Sequence, residues 1–332
     1  SDGRTQITLE KNPNYYGDIS EIENVRFISY QTMEELFEAR YAVDGVVKIS
    51  GRYVSDFQSS KRFKLFPYEL PQYTAVFINM DKTVLGSKSV RIALNKAMDK
   101  QILLNLLSYK VLIETPLFEL NQAETSAPDV TAAKEALYAA GYKLKKEDTE
   151  GTGLRYDDDG KPLTLDIIVR KYDEGSDPAS EMQKLTDFLK VSWRNVGIDL
   201  KIEFLEQDEF KGRMIERNYD LLIVGQNLGY NLDTYSYWHS TQANPTGQNF
   251  SNYKSFQVDT LIENIRSIFD VDKRNEALKQ LDTQIKSDVP AIFLYRPIYY
   301  YASDGKVSGV SMDGVVFPSD RFVRIKNWKF EK

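Results

Sequence analysis

Apolar and polar residues alternate at the start of the chain, where Thr5, Ile7 and Leu9 interleave with Gln6, Thr8 and Glu10, a period of two that predicts a half-buried strand. A second strand is predicted over 25–30. Thr32 and Glu35 then form a capping box, so a helix should run to about Tyr41. The runs "VVKIS", "RFKLFPYEL" and "YTAVFINM", punctuated by Gly51, Pro67 and Pro71, read as further strands. At "LGSKSVRIALNKAMDKQILLNLL" the period lengthens. Val90, Ala93, Leu94, Ala97 and Met98 share one helical face, which predicts a long helix from about Ser89. After a loop with Pro116 and Pro128, "VTAAKEALYAAGYKL" predicts a helix stopped by Gly141.

From Leu163 to Gly225 the order is strand, helix, strand, helix, strand: "LTLDIIV", "SEMQKLTDFLKVSWRNVG", "IDLKIEFLE", "DEFKGRMIERN" and "YDLLIVG". That alternation predicts helices packed on a sheet. Two amphipathic helices follow, one with the stripe Val258, Leu261, Ile262, Ile265, Ile268 and Phe269, the next with Ala277, Leu278, Leu281 and Ile285. The chain returns to strands with "PAIFLYRPIYYYASDGKVSGV" and closes on "FVRIKNWKFEK". Strands at both ends around an α/β block predict two lobes: a strand-rich one from 1–81 and 292–332, and an α/β one from 82–291. The crossings, near 80–87 and 288–294, would act as a hinge.

Composition narrows the chemistry. With 332 residues, 42% of them hydrophobic and 28% charged, the chain can bury a sizeable core. A net charge of -6 without a basic block argues against a nucleic-acid partner. Cysteine is absent, which removes disulfides and thiolate chemistry, and a single histidine leaves no His-rich metal spacing. No cofactor or metal is expected. "GTG" at 151–153 lacks the rest of a phosphate loop, and "YDDDG" reads as a hairpin turn at Asp159 and Gly160 because the alternating ligand spacing of a calcium loop is missing. No charged n-region followed by an apolar h-region opens the chain.

One stretch concentrates the candidate chemistry. Residues 229–253, "GYNLDTYSYWHSTQANPTGQNFSNY", hold four tyrosines, one of three tryptophans, the lone histidine and a lone carboxylate, Asp233. They follow the last strand of the α/β block, where strand ends of open α/β sheets present ligand sites. The candidate ligand-binding residues are Gln226, Asn227, Tyr230, Asp233, Tyr235 and Trp238, with Tyr73 from an earlier strand. A core role competes for Trp238 and His239, since an Asp233 cap would start a short helix carrying Trp238 inward. A carboxylate-dependent glycoside hydrolase drawing on Asp233, Glu203, Glu206 or Asp208 is the enzymatic alternative.

Five ordered segments, "ITLEKNPNYYG", "SKSVRIALNKAMDKQIL", "NLDTYSYWHSTQ", "NFSNYKSFQVDTLIENIRSIFD" and "RNEALKQLDTQIKSDVPAIFLY", resemble the family 5 extracellular solute-binding proteins. The resemblance implies a bilobed fold of the periplasmic-binding-protein type with one lobe incomplete, the chain being a C-terminal fragment without its export signal. It implies no catalysis. A short peptide would be bound between two lobes, outside the cytoplasm or lipid-anchored at the cell surface, and delivered to an ABC permease in the membrane. An oligosaccharide is the alternative ligand, and a sensory role the alternative to transport. Peptide-binding members resemble one another in a Trp followed three residues later by an Asp that pairs with the peptide amine; here Gln226 and Gly229 stand at those positions, so that anchor is missing. Asp233 matches the acid of a "DPD"-like segment, with Leu232 and Thr234 in place of the prolines.

Overall fold

The first two strands form as expected: β1 (Gln6–Glu10) and β2 (Asn24–Ile28) pair antiparallel, Ile7 opposite Phe27 and Leu9 opposite Val25 on one face, but β1 is exposed along its whole length and not half-buried, because its apolar face meets only this two-stranded ribbon. The computed structural model describes residues 5–18, 20–108, 110–117, 127–145 and 153–331. The "GT" of the "GTG" segment lies outside them. Helix α1 (Met33–Glu38) is capped by the Thr32 hydroxyl, which accepts from Glu35 N at 3.1 Å, while the Glu35 carboxylate accepts from Gln31 N at 3.2 Å instead of closing on Thr32 itself. A 3-10 turn over Ala39–Ala42 replaces the rest of the expected helix. Then come β3 (Gly45–Val46), α2 (Val54–Ser59) and β4 (Phe63–Glu69).

Two units separate by contact, one formed by residues up to Leu70 with those from Pro297 onward, the other by Pro71–Arg296. The second contains β5 (Gln72–Ile78), α3 (Thr83–Gly86), α4 (Lys88–Lys96), α5 (Lys100–Leu106), β6 (Lys110–Leu112), α6 (Val130–Ala139), β7 (Lys143–Leu144), β8 (Arg155–Tyr156), β9 (Thr164–Arg170), α7 (Asp177–Arg194), β10 (Asp199–Leu205), α8 (Gln207–Ile215), β11 (Leu221–Asn227), α9 (Tyr235–Trp238), α10 (Phe256–Ser267) and α11 (Val271–Asp288). Strand β12 (Ala291–Asp304) begins there and continues into the first unit, where β13 (Val307–Ser308) and β14 (Lys329–Phe330) follow. The strand Gln72–Ile78, grouped by sequence with the terminal lobe, pairs along its length with β11, and this places the unit boundary at Pro71.

In the second unit the sheet order is β10-β9-β11-β5-β12, with β9, β10 and β11 parallel and β5 antiparallel to both its neighbours. Its central strands are buried on both faces, which is why they read as continuous apolar runs. Val76, Ile78, Ile167, Val169, Leu221 and Ile223 face α7, whose Leu185, Leu189 and Trp193 are buried against them. Trp193 also donates its indole N–H to Leu94 O at 2.9 Å, tying α7 to α4. Ala75, Phe77, Ile168 and Leu222 face the opposite way, into a cluster with Trp238, Phe250, Ile262, Leu281, Ile285 and Phe293. In the first unit β12 pairs with β4 and β3, and Tyr68, Leu70, Tyr301, Val307, Val315 and Trp328 form the core.

Three local expectations give way to competing chemistry. The long helix from Ser89 is broken between α4 and α5, because Asp99 takes an N-cap role, its carboxylate accepting from Gln101 N and Ile102 N. Helix α10 stops at Ser267, Ile268 turning to extended backbone, so Phe269 leaves the stripe and is 98% exposed. The closing "FVRIKNWKF" forms 3-10 turns over Pro318–Phe322 and Ile325–Asn327, with only Lys329–Phe330 as strand.

After its excursion from β11 the chain re-enters the core through "NFSNY". Asn249 is fully buried; its amide donates to His239 O at 3.2 Å and Tyr253 O at 2.9 Å, and its carbonyl accepts from Tyr253 N at 3.2 Å. Ser251 donates to Pro290 O, Asn252 to the Asn79 side chain, and Asn79 to the Arg217 and Tyr219 carbonyls. Tyr253 donates to the Asp288 carboxylate at 2.6 Å, which also accepts from Gln284. Burial raises the Asp288 pKa, but these donors and the nearby Lys88 ammonium outweigh it and hold the carboxyl below its ordinary value.

Asn249→Ala strands three buried partners and is expected to cost about 3 kcal/mol in urea unfolding of the full-length protein. A loss below about 0.5 kcal/mol would mean the network does not hold the segment. Because the folded Asp288 pKa is depressed, its contribution is present above the unfolded value near ~3.9 and fades as pH falls through the folded one. The stability gap between wild type and Asp288→Asn should therefore be open at about pH 7 and narrow as pH falls below about 4; a gap that ignores pH removes the charge from the explanation.

Candidate functional site

Strand β11 delivers its last two residues, Gln226 and Asn227, opposite Tyr73 and Gln72 of β5. Gln226 is buried, and both ends of its amide are in use: the carbonyl accepts from the Tyr73 hydroxyl and the amino group donates to Gln248 O at 3.1 Å. Tyr73 is buried too, its ring edge-on to Phe293 at 5.6 Å. Burial pushes its hydroxyl well above the ordinary phenol value, so it remains a donor. These two residues form the back of the wall.

Asn227 turns the chain. Its side-chain carbonyl accepts from Gly229 N at 2.9 Å, and its backbone carbonyl accepts from the Tyr237 hydroxyl. Gly229 has φ +66, a left-handed conformation that glycine adopts without strain. Tyr230 comes next and is 64% exposed. Asp233 then opens α9 through an Asx turn, its Oδ1 accepting from Tyr235 N at 3.0 Å, while the N-cap position falls on Thr234, one residue later than expected.

Of the other aromatics, Trp238 goes to the core, stacked on Phe77 at 5.8 Å and tilted against Phe293 at 5.7 Å. Tyr235 stacks on His239 at 4.3 Å. His239 is buried with Nδ1 accepting from Thr241 N at 3.2 Å and Nε2 at 3.2 Å from Glu263 Oε1. A backbone N–H on Nδ1 requires a lone pair there, which assigns the neutral ring to the Nε2–H form.

The structure thus separates the sequence candidates into two layers. Tyr73, Gln226 and Trp238 are inside, bonded to or packed on their own chain, whereas Asn227, Tyr230, Asp233 and Tyr235 lie in the turn ahead of them. The carboxylates weighed for a hydrolase have separate partners: Glu203 pairs with Arg213 at 3.1 Å, Glu206 with Lys171 at 2.6 Å and Asp233 with Arg266 at 3.4 Å. Asp208 sits in the first turn of α8. Among the described residues no group of three or more His, Asp or Glu side chains is arranged to hold a metal ion, and no helix is long and apolar enough to cross a membrane. Sequence reasoning missed Asn249 and the polar face of α10; the spacing of Asp259, Glu263 and Arg266 carried the second of these signals.

A family model described as "Bacterial extracellular solute-binding proteins, family 5 Middle" matches residues 2–248. The oligopeptide-binding protein AppA of Bacillus subtilis (strain 168) is 23% identical over 352 residues, which cover 98% of this chain and 59% of AppA. Its structure in complex with a nonapeptide aligns at TM-score 0.72 and 19% identity, covering 100% of this chain and 65% of that one. DppA from Helicobacter pylori, in complex with the peptide STSA, aligns at TM-score 0.74 and 20% identity over 98% of this chain and 60% of that one. The chain therefore spans about three fifths of the length of these relatives. They share the mixed α/β fold of periplasmic binding proteins, and the carboxyl edge of β11 is where this chain carries its irregular polar and aromatic turn. The match to the family model over most of its length shows that the chain belongs to the bacterial extracellular solute-binding proteins, family 5.

Proposed function

We propose that the full-length protein is the extracytoplasmic substrate-binding receptor of an ABC importer and that it takes up oligopeptides for a membrane permease. The observation that carries this reading is the family match over residues 2–248, joined to relatives whose names and structures describe oligopeptide or peptide binding. The site is compatible with it. Turn residues at a strand end offer backbone groups, amides and phenols, which suit the repeating N–H and C=O of a peptide main chain. Such a receptor does no chemistry; affinity comes from contact area and desolvation offset by the cost of ordering.

We assign Asn227, Tyr230, Asp233 and Tyr235 to the ligand-facing layer, with Gln226, Tyr73 and Trp238 supporting it from behind. Fixed support of this kind lowers the entropy lost when ligand binds. A tyrosine adds a large contact surface at the expense of two torsions.

Native mass spectrometry on the full-length protein, purified without denaturation, tests the ligand class. Adduct masses that decompose into amino-acid residues are the expected result, and adducts spaced by hexose would overturn it. Calorimetry with a bound peptide tests the layers. Tyr230→Ala should weaken binding by about tenfold with unfolding unchanged, whereas Gln226→Ala should first lose stability, by about 2 kcal/mol, because the Tyr73 hydroxyl loses its Gln226 acceptor and the Gln248 carbonyl its amide donor. The reverse pattern would exchange the two layers.

A further inference from the structure

Asp233 is the single carboxylate of the 229–253 turn, and α10 engages it. Asp259, Glu263 and Arg266 recur at i, i+4 and i+7, which makes one polar stripe along that helix. Asp259 accepts from Ser240 N at 2.8 Å and from the Ser240 hydroxyl. Glu263 meets His239, as described above. Arg266 lies 3.4 Å from Asp233 Oδ2, with its guanidinium 4.6 Å from the centre of the Tyr235 ring. Asp233 Oδ1 also accepts from Tyr235 N, so each carboxylate oxygen has one partner within the chain.

The turn's one negative charge is thereby balanced from the helix side. Along the same sheet edge, Glu206 after β10 is bonded to Lys171 after β9. Gln226 and Asn227 carry no charge, and their side chains already bond within the chain. A ligand ammonium at Asp233 would share the carboxylate with Arg266, whose charge already offsets it and whose guanidinium lies against the Tyr235 ring. Enclosing an ammonium without a carboxylate partner is unfavourable, whereas an amide end needs only ordinary hydrogen bonds.

We infer that this wall takes the end of its ligand as a neutral group, so that peptides with blocked amino termini, N-acylated or cyclic, are ligands on a par with free ones. The inference rests on the peptide-receptor reading above. Arg266 is then a specificity-determining residue that acts through Asp233 without touching the ligand.

The test is competition on the full-length protein, read by native mass spectrometry, between a short synthetic peptide library with free amino termini and the same library Nα-acetylated. Wild type is expected to take up both forms within about threefold. Arg266→Gln, which leaves the Asp233 charge without its cation, is expected to shift uptake towards the free amines by about tenfold, and Arg266→Lys to behave as wild type. A wild-type preference for free amines above about tenfold overturns the inference and leaves the receptor reading standing. An unchanged preference in Arg266→Gln also overturns it. Uptake of neither library overturns the peptide reading and the inference with it.

Discussion

Backbone hydrogen-bond demand is the constraint on which the candidate site depends. A segment leaving a sheet edge carries N–H and C=O groups that the ladder no longer satisfies, and only water or the segment's own contacts can replace it. Here the return through "NFSNY" answers that demand with side-chain amides. Asn249 bridges the carbonyls of His239 and Tyr253, and Asn252 bonds to Asn79, which in turn holds the carbonyls before β11. The entry and exit of the turn are thus fastened to one buried polar network. Asn252 adopts a left-handed φ of 49, a conformation asparagine tolerates better than most residues. The aromatic residues pack on a frame set by these amides, and burial keeps their hydroxyls protonated: the Tyr219 hydroxyl, bonded to Phe250 O at 2.7 Å, is pushed up to about 12 with Arg217 opposing.

Charge placement follows from the same frame. A turn rich in phenols and amides has little intrinsic rigidity on its open side, and α10 supplies it through three side chains of alternating roles: an acceptor for a helix-start N–H, an acceptor for an imidazole N–H and a cation for a carboxylate. Each of these bonds alone is modest at a surface. Spaced along one stripe they fix the direction of the turn, and hydrogen bonds to ionised groups are stronger and more directional than neutral ones.

Much of the architecture was legible because the α/β block obeys a simple pattern. Residues of β9, β10 and β11 form short apolar runs separated by helices, whereas the Ser176 cap starts α7 ahead of the segment that the pattern marked. Failures came where a local competitor was as strong as the periodic signal. Asp99 sits inside a continuous apolar stripe yet caps a new helix. Phe269 continues a stripe arithmetically, but the helix has ended. At the candidate site the aromatic and amide composition singled out the turn after β11, and its layering was hidden, since nothing in "GQNLGY" tells that Gln226 turns inward to Tyr73 while Tyr230 faces out. That choice is made by the β5 register, a long-range fact absent from the local string.

Asp259, Glu263 and Arg266, which hold the turn at Ser240, His239 and Asp233, all come from α10, and Asn249 and Asp288 fasten the return at Tyr253. The turn is therefore supported by stretches of chain that follow it in sequence. The positions facing a ligand can change with the ligand as long as the backbone remains satisfied. Those behind them are constrained by burial and by partners on several elements, so substitution there disturbs the whole turn. Under the reading proposed above, ligand preference would change through charges at the edge of that support, where Arg266 is exposed enough to vary and close enough to Asp233 to set the field there.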